Sequence, residues 1–360
     1  MTIPGPSGTL GVIKNERSLS QEAVVSPTAP PAASPTQAGR IAGIIVAVVV
    51  VQFLMLVAFA WPAARSAPQD LPLVVAGPQA QAVAQRLEQQ RPGAFDVKTV
   101  PDEAAARAAL TDREAYGAIV TTAQGPRVLV ASAASPAVAQ LLQQLAQNMS
   151  PSTTPTVPVR DVVAADPDDP RGAGFGALAL PLVMSSLAAA VIVTFLVRGI
   201  GRRAVAVTGI ALLGGACATA LAQGWLSVLP GSYLAVAGAM ALAIMAVAGV
   251  ITGFTSVMGR PGIGVGALLF MLIGNPLSAA TSAPEMLPQP WGDLGQLLPP
   301  GAAATLLRSV AFFDGAGAGG PLAVLLCWIA FGAVLMTVGA LRSRRAEAPE
   351  GAPREPVPVH

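Results

Sequence analysis

Residues 165–171 read ADPDDPR, three carboxylates spaced closely enough to suggest a cation loop. The run lacks the glycine and the terminal glutamate of a calcium-loop pattern, so it is not read as a metal site. Two glycine-rich stretches, RGAGFGALAL (171–180) and RPGIGVGALLF (260–270), echo each other and suggest a phosphate loop. Such a loop needs a preceding strand and a following soluble helix. Both stretches instead open apolar runs, where small residues let helix backbones pack closely. No G-x-x-x-x-G-K-[ST] motif occurs, and the only lysines are Lys14 and Lys98, so P-loop ATP hydrolysis by this chain is excluded. The single histidine is His360, the last residue, which leaves no histidine for a triad, a metal or a proton relay. Cys217 and Cys327 lie in apolar runs and read as small hydrophobes. Without a nucleophile–base constellation the chain is not read as an enzyme, and no cofactor is expected.

One stretch remains as a candidate site: NPLSAATSAPEMLPQPWGDLGQLLPP, residues 275–300. It holds Pro276, Pro284, Pro288, Pro290, Pro299 and Pro300, with Glu285 and Asp293 between them. A flexible linker would not need the leucines and phenylalanines that continue to Phe313. The prolines predict short helical pieces at about 292–298 and 301–313, ended by Asp314-Gly315. Asn275, Pro276, Pro284, Glu285, Pro288, Pro299 and Pro300 are the candidate gate residues.

The elements that must position this stretch are apolar. The chain is 53% hydrophobic and 11% charged, too apolar for an ordinary soluble domain. Its net charge of +2 implies no nucleic-acid partner. Six stretches suffice to cross a bilayer: about 41–61, 174–197, 204–226, 231–258, 262–281 and 319–341. AFA at 58–60 has the form of a signal-peptidase site, but the run is long and 40 residues precede it, so an uncleaved anchor is expected. The spans carry no acid or base away from their ends, which disfavours a proton-coupled or ion-coupled transporter.

Arginine sets the expected orientation. Arg40, Arg198, Arg202, Arg203, Arg260, Arg342, Arg344 and Arg345 all fall on one side if both ends lie in the cytoplasm. Trp61, Trp225, Tyr233 and Trp291 then fall at the opposite, outer interface. Residues 1–39, rich in Pro, Ala, Ser and Thr, read as a disordered cytoplasmic tail, as do residues 342–360.

The outer loop, 62–173, is patterned as a small α/β domain. LPLVVA (71–76) and FDVKTV (95–100) read as strands, with a helix between them. Asp102 is a candidate N-cap for the alanine-rich helix that follows. YGAIVT and RVLVAS flank a turn, and Ser135-Pro136 starts a helix with Val138, Leu141, Leu142, Leu145 and Met149 on one face. The order β-α-β-α-β-β-α implies at least one parallel pair. With no cysteine, this domain is expected to rest on its own core.

This architecture of one span, a large outer domain and five more spans resembles the ABC type-2 exporter permeases, specifically the phage-infection-protein (Pip)/YhgE-like branch. So do DEAAARAALTDREAYGAIVTTAQGPRVLVASAASPAVAQLL (102–142) and GNPLSAATSAPEMLPQPWGDLGQLLPPGAAATLLRS (274–309). The resemblance covers most of residues 41–341. It implies a plasma-membrane permease with a re-entrant outer segment at 282–318 capping the translocation path. It implies a homodimer or heterodimer of permeases, paired with a separate cytoplasmic ATP-binding subunit. In such permeases a coupling helix between the second and third spans docks the ATPase. Here the loop is only VRGIGRRAV, with Arg198, Gly201, Arg202 and Arg203 as the candidate coupling residues. Plain positive-inside charge explains those arginines equally well. The alternative function is a non-transporting scaffold or docking subunit of a cell-envelope secretion system.

Overall fold

The computed structural model describes residues 37–148 and 157–347. Met149, most of the N-terminal tail and residues 348–360 lie outside the described residues. Met1–Val49 and Val50–His360 form two compact units. Of the first, the description covers the opening of helix α1 (Gln37–Ala64), which runs unbroken into the second and accommodates Pro62.

The α/β domain follows α1. Its elements are β1 (Leu71–Ala76), α2 (Ala80–Gln90), β2 (Phe95–Val100), α3 (Glu103–Thr111), β3 (Gly117–Thr122), β4 (Gly125–Val130), α4 (Pro136–Asn148) and β5 (Val159–Asp161). The sheet order is β2-β1-β3-β4-β5. Strand β1 is parallel to both β2 and β3, β3–β4 is an antiparallel hairpin, and β5 adds parallel to β4. The parallel centre explains why LPLVVA is a continuous apolar run, since both of its faces are covered. Asp102 caps α3 as expected, its carboxylate accepting from the Ala105 amide at 2.8 Å.

The two faces of the sheet have different covers. Leu71, Leu73 and Val75 point to the side packed by Leu87 of α2 and by Val138 and Leu142 of α4. Val74 and Ala76 point to the side packed by Ala106 and Leu110 of α3. Neither core is complete within the domain. Ala283 and Met286 join the first, and Phe313 joins the second. The expectation of a self-sufficient core is therefore corrected. Three helices cannot cover a five-stranded sheet, and the far connection supplies the remainder.

Among the described residues, five helices are long and apolar enough to cross a membrane: Gln37–Ala64, Ala173–Leu196, Ile200–Trp225, Tyr233–Met258 and Gly319–Arg345. In order, the last four are α5 (Ala173–Leu196), α6 (Ile200–Thr219, extended by π-helical turns Ala220–Trp225), α7 (Tyr233–Met258) and α11 (Gly319–Glu347). Helix α11 thus runs six residues past the expected end of the last span, into the stretch read as tail. The fifth stretch, 262–281, differs from expectation. It is helical only over α8 (Pro261–Ala267) and the π-helical turns Leu268–Gly274. Fourteen residues rise about 21 Å, short of the roughly 30 Å apolar core of a bilayer. Pro276, which has no amide to continue the ladder, starts a 3₁₀ turn, Pro276–Ser278, instead.

Helix α7 is the axis of this bundle. Of its most apolar window 61% is buried, against 28% at most for the other four spans. Its neighbours reach it because glycine removes side chains at the crossings. A Cβ on Gly215 of α6 would lie 2.7 Å from the Ala237 carbonyl oxygen and 2.7 Å from the Ala241 nitrogen. A Cβ on Gly332 of α11 would lie 2.9 Å from backbone atoms of Gly249 and Val250. Backbone cannot rotate aside as a side chain can, so these positions fix the spacing.

Gly215→Ala is therefore expected to destabilise the detergent-solubilised chain by about 1–3 kcal/mol through overpacking. Gly238 of α7 has nothing within 4 Å of its would-be Cβ. Gly238→Ala should leave the thermal midpoint unchanged or slightly raised. Equal midpoints for the two variants would refute the close-approach account.

Candidate functional site

The connection between α8 and α11 folds as a compact insert. After the turn Pro276–Ser278 come a second 3₁₀ turn, Pro284–Met286, then α9 (Trp291–Gln296) and α10 (Pro299–Phe312). Pro299 and Pro300 occupy the first turn of α10, where a missing amide costs nothing. They begin the helix rather than separate two pieces. Eleven of the fourteen α10 residues are buried, so the helix is inserted among its neighbours rather than laid on them. Leu306 and Leu307 are buried there, whereas Leu294 and Leu297 remain exposed.

Arg308 is the one charge on α10, and it is buried. Its guanidinium donates to the Ala280 carbonyl at 2.6 Å and lies 4.7 Å from the Phe175 ring centroid of α5. Carbonyl dipoles and a π face take the place of a carboxylate. Arg308 thereby ties the turn after Pro276 to α10, and α10 to α5.

The α/β domain grips the same insert. Arg113, just after α3, donates to the Thr305 carbonyl at 3.0 Å and to the Ser309 hydroxyl, and its guanidinium lies 5.1 Å from the Phe313 centroid. Tyr116 donates its hydroxyl to Glu285 at 2.9 Å. The amides of Ala67 and Gln69 donate to the carbonyls of Met286 and Glu285. Burial pushes the Glu285 carboxyl above the ordinary carboxylate range, and Asp293 adds to the rise. Its own backbone amide, the Tyr116 hydroxyl and Arg113 oppose it. Burial, reinforced by Glu285, also pushes the Tyr116 phenol far up, so it stays a hydrogen-bond donor. Burial lowers Arg113 somewhat.

Two cavities flank α5 and share Ala179 in their walls. One, of about 220 Å³, is almost wholly apolar and is bounded by α5, α6, α7 and the start of α10, with Pro299 and Pro300 in its wall. The other, of about 450 Å³, is of mixed polarity and lies between the end of α1, the start of α5 and the insert. Asn275, Pro276, Ser278 and Thr281 line it. Trp61 of α1 meets Trp291 of α9 edge to face beside it, 6.4 Å between centroids.

The expected gate residues are thus divided among three places. Asn275 and Pro276 line the mixed cavity, and Pro299 and Pro300 line the apolar one. Pro284 and Glu285 form the contact with the α/β domain, and Pro288 lies in the turn before the half-exposed Trp291. Of these only Glu285 meets one of the residues that hold the insert, Tyr116; Arg113 and Arg308 bind Thr305, Ser309 and Ala280 instead, and the sequence alone singles out none of the three. A lone arginine in PPGAAATLLRSVAF is the one sequence signal for Arg308.

The candidate coupling residues do not form one group. Arg203 donates to the carbonyls of Val197, at 2.9 Å, and Thr194, at 2.8 Å, and so caps the end of α5. Arg198, Gly201 and Arg202 are exposed. Helix α6 begins at Ile200, so only Val197, Arg198 and Gly199 separate it from α5. Asp169 of ADPDDPR accepts from the Phe175 amide at 2.9 Å, near the start of α5. The second glycine stretch packs as expected: Cβ atoms on Gly262 and Gly266 would meet Phe254 and Ile251 of α7 at 2.5 Å.

Because burial makes the folded chain hold a Glu285 proton that an unfolded chain has already released, the stability contributed at this site is greatest at low pH. It weakens as pH rises through the raised carboxyl value. The thermal midpoint should fall as pH rises above about 4, and Glu285→Gln should flatten that slope. An unchanged slope in the variant would exclude Glu285 as its source. Tyr116→Phe, which leaves the carboxyl without its donor, should cost about 1–3 kcal/mol.

No family model, no curated protein and no solved structure matches this chain.

Proposed function

We propose that the chain is the permease subunit of an ABC-type (type-2) exporter, in the Pip/YhgE-like branch, working in the plasma membrane with a separate ATP-binding subunit. The observation that carries this reading is α10. It is a buried helix whose first turn walls an apolar cavity and whose last turn is gripped by the α/β domain. A helix so placed is suited to gate a path between membrane helices. Counting α8 and its π-helical extension as a sixth, shortened crossing gathers Arg40, Arg198, Arg202, Arg203, Arg260, Arg342, Arg344 and Arg345 on one side. Both termini are then cytoplasmic, and the α/β domain and insert lie outside. The edge-to-face contact of Trp61 with Trp291 supports that placement, since it sets the end of the first span beside the insert. A bilayer thinned at α8 accommodates the short helix at modest cost.

A second reading, a scaffold of a secretion assembly, is favoured by the three-residue α5–α6 turn and by the engagement of Arg203 in capping. The two readings separate at Arg198 and Arg202. For the exporter, the chain co-purifies with a nucleotide-binding subunit and supports vanadate-sensitive efflux, and the double change Arg198→Ala and Arg202→Ala lowers efflux at least several-fold with insertion intact. Normal export in cells lacking any such ATPase would overturn it. For the scaffold, the arginine changes do nothing, while loss of the 68–150 domain abolishes partner binding.

A further inference from the structure

The apolar cavity carries an inference that does not depend on export. Its lining is closed to hydrogen bonding. The only hydroxyls in it, those of Ser185 and Ser186, both donate to the Leu182 carbonyl within α5 itself, at 3.0 and 2.6 Å. An apolar cavity of about 150 Å³ stays dry and takes up benzene, because water there finds no partners. This one, at about 220 Å³, is larger and equally unfit for water. It therefore selects hydrocarbon.

The direction of access is also given. Three of the lining residues are exposed: Pro181 and Ser185 on α5, and Leu221 on the extension of α6. They mark a mouth between these two helices. The helices meet tightly at the Val197–Gly199 turn, where Arg203 binds the end of α5, and both pack on α7. Towards the other end, Pro181 of α5 and Leu221 beside α6 stand on the two sides of the mouth. The floor is α7, through Met240, Ala243 and Val247, and the back wall is α10, through Ala303 and Leu307. Outside the mouth, the outward faces of α5 and α6 present Leu180, Met184, Leu212 and Leu213, all exposed. Both helices are long and apolar enough to span a membrane, so those faces belong in hydrocarbon and the mouth opens sideways into it.

We propose that this cavity is a binding site for one acyl chain of a membrane lipid, which enters from the bilayer between α5 and α6 and lies against the N-terminal half of α10. The chain is a saturated or singly unsaturated hydrocarbon with its headgroup left outside. Because Pro299, Pro300, Ala303 and Leu307 form the back wall, occupancy bears directly on α10. An acyl chain in place supports that helix where no protein atoms do.

The test uses the full chain reconstituted in phosphatidylglycerol–phosphatidylethanolamine vesicles that contain a phosphatidylcholine carrying a diazirine near the end of one acyl chain. Photolysis followed by peptide mass spectrometry should place adducts on Met240 and Ala303–Leu307, inside the cavity, at levels comparable to those on exposed Leu212 and Leu213. Ala218→Phe, which fills the half-buried cavity wall on α6, should lower the inner adducts at least five-fold and leave the outer ones unchanged. If Ala218→Phe fails to insert, Ala179→Phe makes the same test from the α5 side. Adducts confined to Leu212, Leu213 and other outer positions would overturn the proposal. So would inner adducts that persist undiminished in a filled variant. Covering of the mouth by a second copy of the chain would appear as loss of inner adducts together with chain-to-chain crosslinks from a cysteine at position 221, and would also overturn it.

Discussion

One sheet with two apolar faces and too few helices of its own governs this structure. Met286 closes one face and Phe313 closes the other, and both come from the insert between α8 and α11. Each large apolar side chain contributes about 1.5–3 kcal/mol by leaving water. The insert must therefore present residues 283–286 and residue 313 to opposite sides of the same sheet. Helix α10 spans the sequence between them, and its first turn is directed into the helical bundle. The position of α10 is in this sense a consequence of how the α/β domain completes its core. The backbone bonds from Ala67 and Gln69 to Met286 and Glu285 extend the same docking by ordinary peptide pairing.

The charges on this helix and around it follow from that placement. Taking an arginine out of water is costly unless its donors are met. Arg308 meets carbonyl oxygens of a turn that has no regular ladder to occupy them, so its charge and the insert's unused acceptors satisfy each other. Arg113 meets the Thr305 carbonyl in the middle of α10 and the Ser309 hydroxyl one turn on. Tyr116 and Glu285 form a third polar contact, in which the phenol donates to a carboxyl that burial pushes towards its neutral form. Three polar contacts around a short helix give its placement direction, which apolar packing alone would not.

Most of the α/β domain was legible in the sequence because its signals are local. LPLVVA and FDVKTV begin and end where alternation and turn residues say they should, and Asp102 caps as its type and position imply. Strand β5 was not legible. It is three residues long, exposed throughout, and carries no alternation. The stretch 262–281 was read as longer than its helix, Pro261–Gly274, for a related reason: composition counts apolar residues and cannot see that Pro276 diverts the chain. The prolines of the insert did mark a folded unit rather than a linker. The residues that hold it, Arg113, Tyr116 and Arg308, pair with partners up to 196 positions away, and such pairings leave no trace in spacing. The candidate coupling arginines show the opposite limit. Their charge pattern was plain, yet one of them serves only to finish a helix.

The joint anchoring of α10 constrains how any gate built on it moves. Swinging α10 away from the sheet would strip Phe313 from its core and break both bonds made by Arg113. By hydrogen-bond energetics those bonds alone represent about 1.5–3 kcal/mol each, since the donor is charged. Swinging it away from α5 would pull Arg308 from the Phe175 face but leave its bond to the Ala280 carbonyl, which lies within the insert. The first loss exceeds the second in the number of side chains involved, and the first boundary includes the paired backbone at Ala67 and Gln69. The weaker boundary is the one along the apolar cavity, where protein atoms are missing and hydrocarbon can fill the space. Away from the cavity, α10 shares a buried core with α7 and α11 through Ala302, Leu306 and Ala311, so any displacement of α10 must also repack that core. A change in lipid occupancy of the cavity and a force on the α/β domain would both act on that helix.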